Sequence, residues 1–84
     1  MRHARDDDLD RIEPLLDELR ACAGLTEKSR GVFYRRSRAC LHFHADEADT
    51  YADVRFDGDD FERVRATTKA EQRALVAAVR RGLT

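Results

Sequence analysis

The chain has 84 residues, 42% of them hydrophobic and 39% charged, with 16 basic against 17 acidic side chains and a net charge of -1. That length fits a single domain over 1–84, and the even spread of apolar residues argues for a folded domain over a disordered chain. The near-neutral total excludes a global attraction to nucleic acid or to an anionic membrane, and no apolar run approaches bilayer-spanning length.

In chain order, residues 1–8 are charged and are expected to fray. Leu9, Ile12, Leu16 and Leu19 recur at helical spacing, with Leu15 and Cys22 widening the stripe. Asp10 as N-cap and Glu13 three positions on make a capping-box-like pair, with Pro14 at N4. A start near 6–8 would instead put a kink at Pro14. Gly24 is placed to stop the helix, and residues 25–31 read as a polar connection.

Val32-Phe-Tyr-Arg-Arg36 reads as a first strand and turns at Ser37-Arg38 into a second, 39–45. In that second strand Leu41 and Phe43 point one way, and Cys40, His42 and His44 the other. After a turn at 46–49, the 50–56 strand puts Ala52, Val54 and Phe56 inward and Tyr51, Asp53 and Arg55 outward. Asp57-Gly58-Asp59-Asp60 forms a four-residue loop that sets Phe56 opposite Phe61 and Arg55 opposite Glu62. A short arginine-rich edge strand, 61–66, precedes a capping box, Thr68-Lys-Ala-Glu71, which opens a helix carrying Leu75, Val76, Val79 and Leu83. The predicted fold is α+β, a four-stranded antiparallel meander with N- and C-terminal helices packed on one face (αββββα).

At Ala23-Gly24-Leu25-Thr26-Glu27, followed by a β-meander and a closing helix, the chain resembles the MmcQ/YjbR-like proteins. The resemblance covers the layout of most of the chain and is specific over that turn alone. Members of that family are usually longer, with extra strands and a tryptophan-containing segment before the last helix; this chain has no tryptophan. The family is often labelled DNA-binding by fold analogy, so the resemblance implies little about function beyond the fold.

Three constellations carry chemistry. Cys40, His42 and His44 alternate about 6.5–7 Å apart along one face, a spacing from which two imidazoles can converge on a zinc ion. Cys40, Asp53 or Asp46 would supply a third ligand, while His3 is set aside as part of the frayed terminus. Lys28, Arg30, Arg35, Arg36 and Arg38 flank Phe33 and Tyr34, a pattern that suits nucleic-acid binding, although the neighbouring acids can equally neutralise it. Tyr34, Cys40, His42, His44 and Tyr51 on an open sheet face suit a two-fold homodimer.

No Gly-rich phosphate loop, nucleophile elbow or paired catalytic carboxylates are recognisable, so a binding or interaction module is favoured over an enzyme. The two cysteines lie outside any CxxC pair and no signal-like run opens the chain, which points to the cytoplasm. No resident cofactor is implied beyond zinc at the cysteine–histidine strand, and no membrane partner.

Overall fold

The computed structural model describes residues 1–83, which run β1 (Arg2–His3), α1 (Asp6–Asp10), α2 (Glu13–Arg20), β2 (Thr26–Ser29), β3 (Val32–Arg35), β4 (Arg38–Asp46), β5 (Asp49–Val54), β6 (Glu62–Arg65) and α3 (Lys69–Leu83). The strands form one antiparallel sheet in the order β2-β3-β4-β5-β6, with β1 added beside β4. The α+β class matches the sequence reading; the strand number does not. Six strands form where four were expected.

Both extra strands satisfy backbone groups that four strands would leave bare. The pairing of β3 with β4 ends at Phe33↔Leu41, yet β4 continues to Asp46. Arg2 and His3 fill that open edge opposite Ala45 and His44, and the Ala4 N–H donates to the Phe43 carbonyl at 3.1 Å. The buried Asp8 carboxylate anchors the segment by accepting from the Arg5 N–H (2.9 Å) and the Arg2 guanidinium (3.0 Å). These contacts place Arg2 and His3 in the sheet and Asp6–Asp10 in a helix. The second addition, β2, has the sequence Thr-Glu-Lys-Ser and no apolar alternation; its backbone ladder to β3 holds it.

The expected first helix divides at Arg11–Ile12. Glu13 and Pro14 are the first two residues of α2, where an N–H has no intrahelical partner to lose. Pro14 thus costs no hydrogen bond, unlike at N4. The Leu9, Ile12, Leu15, Leu16 and Leu19 stripe is still buried, since both short helices face the sheet. The closing helix keeps its capping box: the Glu71 N–H donates to Thr68 Oγ1 (3.1 Å) and the Thr68 N–H to Glu71 Oε1 (2.9 Å).

The core lies between the helices and one sheet face, where Phe33, Leu16, Leu19, Leu41 and Val79 are fully buried. Phe43 and Ala52 join them, with Val54, Phe56 and Leu83 at the margin. Two register details differ from expectation. β3 and β4 join through Arg36 and Ser37, both in the left-handed region at φ 52° and 67°, so the turn sits one residue earlier than read. Between β5 and β6, Val54 faces Glu62 and Asp53 faces Arg63. That register shift replaces the expected Arg55–Glu62 pair with an Asp53–Arg63 pair on the outer face.

Candidate metal centre

The outer face of β4 presents His42 and His44, as alternation dictates. His3 arrives from β1, directly opposite His44. Ring centroids lie 4.5 Å apart for His3–His44, 5.1 Å for His42–His44 and 5.8 Å for His3–His42. A ring nitrogen from each of the three lies within 4.8 Å of the other two. His3 is exposed, whereas the His42 and His44 side chains keep only 21% and 12% of their surface.

Asp53 sits at the centre of this face. Its Oδ2 is 3.2 Å from His42 Nε2 and 3.0 Å from His44 Nε2. Both Asp53 oxygens also accept from Arg63, Oδ1 from Nε at 2.7 Å and Oδ2 from Nη2 at 2.9 Å. The Arg63 hydrogen bonds hold the Asp53 carboxyl below its usual range, against the opposing effect of burial. Burial, with the neighbouring His44 and His3, pushes His42 below its ordinary value despite the Asp53 charge. The ring of Phe61 closes one side, edge-on to His42 at 4.9 Å, with the Arg55 guanidinium over it at 4.2 Å.

Neutral imidazoles are ligands as well as hydrogen-bond donors. A ring that gives its Nε2–H to Asp53 keeps its Nδ1 lone pair, the arrangement in which a carboxylate fixes the tautomer of a metal-ligating histidine. A tetrahedral ion with bonds of about 2.1 Å needs its nitrogens roughly 3.4 Å apart, against the 4.8 Å within which the three now lie.

Cys40 does not belong to this group. The register shift between Phe33 and Tyr34 leaves Cys40 as the extra residue of a β-bulge, so counting two back from His42 no longer lands on the same face. Its side chain joins the core at 2% exposure, with Sγ 3.5 Å from the Phe33 carbonyl, and burial pushes the thiol up. Asp53 is present, but as the partner of the imidazoles. Asp46, at the end of β4, is exposed and outside the cluster.

No protein-family model matches the chain, no curated protein is detectably similar, and no solved structure matches its fold. The chain's own geometry carries the functional argument.

The basic segment of the sequence is divided by the fold. Arg30 turns toward the helices and bonds Asp6, Asp10 and Glu13, while Lys28 lies over the Tyr34 ring at 5.8 Å. Arg35, Arg36 and Arg38 gather at the other end of β3, beside Arg55. Tyr34 and Tyr51 are half-buried; the exposed large apolar side chains among the described residues are Met1 and Phe61.

His3, Arg55 and Arg63 are the site residues that sequence reasoning passed over. Arg2-His3-Ala4 is too short to show a period, and Arg63 becomes relevant only through the β5–β6 register. The unfilled edge follows from the observed lengths, nine residues in β4 against four in β3, whereas the strands as read, 39–45 and 32–36, differ too little to show it.

Proposed function

We propose that this chain is a small metal-binding module whose His3, His42 and His44 take a divalent transition-metal ion of the zinc class. The convergence of three imidazole nitrogens from two adjacent strands supports this reading most strongly. Imidazole donors suit zinc, copper(II), nickel and cobalt over calcium or magnesium, which prefer oxygen shells. Asp53 acts as the carboxylate that orients two of the rings, and Arg63 keeps it ionised. The lowered affinity of His42 for protons favours the neutral, ligating ring at neutral pH. Three protein ligands leave a fourth position for water or a ligand atom.

The test is a zinc titration of the untagged chain by calorimetry. One ion per chain is expected, with binding weakened about tenfold or more in His3→Ala and in His44→Ala and unchanged in Cys40→Ala. Equal affinity in the parent and both histidine variants would end the proposal. A second variant, His42→Gln, keeps the volume of the outer face while removing a ligand.

A further inference from the structure

Beside the β3–β4 turn lies a cavity of about 240 Å³ lined by Arg35, Arg36, Arg38, Cys40, Arg55 and Phe56. Four of the six lining residues are arginines, and their charges are poorly compensated. Among the described residues only Arg38 of the four pairs with a carboxylate, Asp59 at 3.0 Å, and that acid is 99% exposed on the 57–60 loop. Arg55 is held by carbonyl oxygens instead: its Nε (3.2 Å) and Nη2 (2.7 Å) donate to Ala39, and its Nη1 (3.3 Å) to the Asp59 backbone. Those contacts fix the direction of the group without neutralising it. Arg35 and Arg36 have no ion pair among the described residues.

Gathering like charges is unfavourable unless something of opposite sign completes the set. The backbone adds a second, independent observation. Both central residues of the two-residue turn are left-handed, at φ 52° and 67°, a position normally filled by Asn-Gly because other side chains are strained there. An arginine held at such a site, with its side chain on a cavity, fits the general placement of backbone strain at ligand clamps. Planar guanidinium forks match phosphate oxygens two at a time. The volume corresponds to about eight waters, enough for one or two phosphoryl groups. The Cys40 thiol at the cavity wall is kept protonated by burial and adds no opposing charge.

We propose that this cavity binds a small phosphate-bearing ligand, with phosphoryl oxygens held by Arg35, Arg36 and Arg55. The cavity shares Arg55 with the flank of the histidine cluster, through the Phe61 ring, but none of the three imidazoles, and the proposal stands whether or not that cluster holds metal.

Calorimetry and backbone amide NMR with inorganic pyrophosphate on the metal-free chain test it. Saturable binding at one site is expected, with shifts confined to residues 35–40 and 55–59. Arg36→Asn should weaken it about tenfold or more by removing charge-assisted hydrogen bonds. Asparagine accepts left-handed backbone, so this variant melts no lower than the parent, which separates lost binding from lost folding. No saturable binding, or equal affinity in Arg36→Asn and Arg35→Ala, overturns the proposal. A short single-stranded oligonucleotide forms the second arm. If it binds far more tightly than pyrophosphate and loses that affinity steeply with salt, the surface is a nucleic-acid track and the small-ligand proposal fails.

Discussion

Replacing Asp53 by asparagine removes one charge from the middle of the outer sheet face while keeping the side chain's shape. Asp53 is 7% exposed and has four polar contacts: His42 Nε2, His44 Nε2, Arg63 Nε and Arg63 Nη2. The Arg63 side chain keeps 46% of its surface, so its pair is screened and contributes little. The two imidazole contacts, both to Oδ2, lose their charge assistance whichever way an asparagine amide is turned, at about 1 kcal/mol each. The expected loss is about 2 kcal/mol, or roughly 8–16 °C in Tm for a domain of this length. Thermal melts followed by circular dichroism, metal-free and at neutral pH, read it directly. The pH dependence gives a second check. Asp53's folded value is depressed below 3.8 by Arg63, so its contribution is present above that value and disappears as pH falls through the folded one. The gap between parent and Asp53→Asn should close in that acid range. A loss below about 0.5 kcal/mol at neutral pH would refute Asp53 as the organiser of this face.

Ser37→Gly relieves one of the two left-handed turn residues and should raise stability by about 1 kcal/mol in urea titrations. Gly31→Ala should lower it by about 1–3 kcal/mol, since Gly31 has φ +78° and an added Cβ would meet Leu9 Cδ2 at 2.8 Å. His42 is depressed below 6.5, so its contribution to metal-free stability is full above that pH. It declines as pH falls from 6.5 toward the folded value, a slope that His42→Gln should flatten.

The parts of this fold with long periods were legible in the sequence. The apolar alternation of β4 and β5, the leucine stripe of the first helical segment and the Thr68–Glu71 box each repeat a physical requirement several times. The outward direction of His42, His44 and Asp53 followed from the same alternation. Elements held by backbone pairing alone were not legible: β1 has two residues and β2 has no apolar face, so neither has a period to read. Cys40 was misplaced because a bulge breaks alternation without changing residue type. The Asp53–Arg63 pair was missed because the four-residue loop read at 57–60 sets the register one residue away from the observed one. His3 was lost with β1, and with it the third ligand.

The central claim is that three imidazoles from β1 and β4 form one metal site, with the buried thiol excluded. X-ray absorption on the zinc-loaded chain measures that shell directly. The account predicts three imidazole nitrogens at about 2.0–2.1 Å, with one fewer in His3→Ala and none lost in Cys40→Ala. A sulfur scatterer at about 2.3 Å, or a shell made only of oxygen, would contradict it.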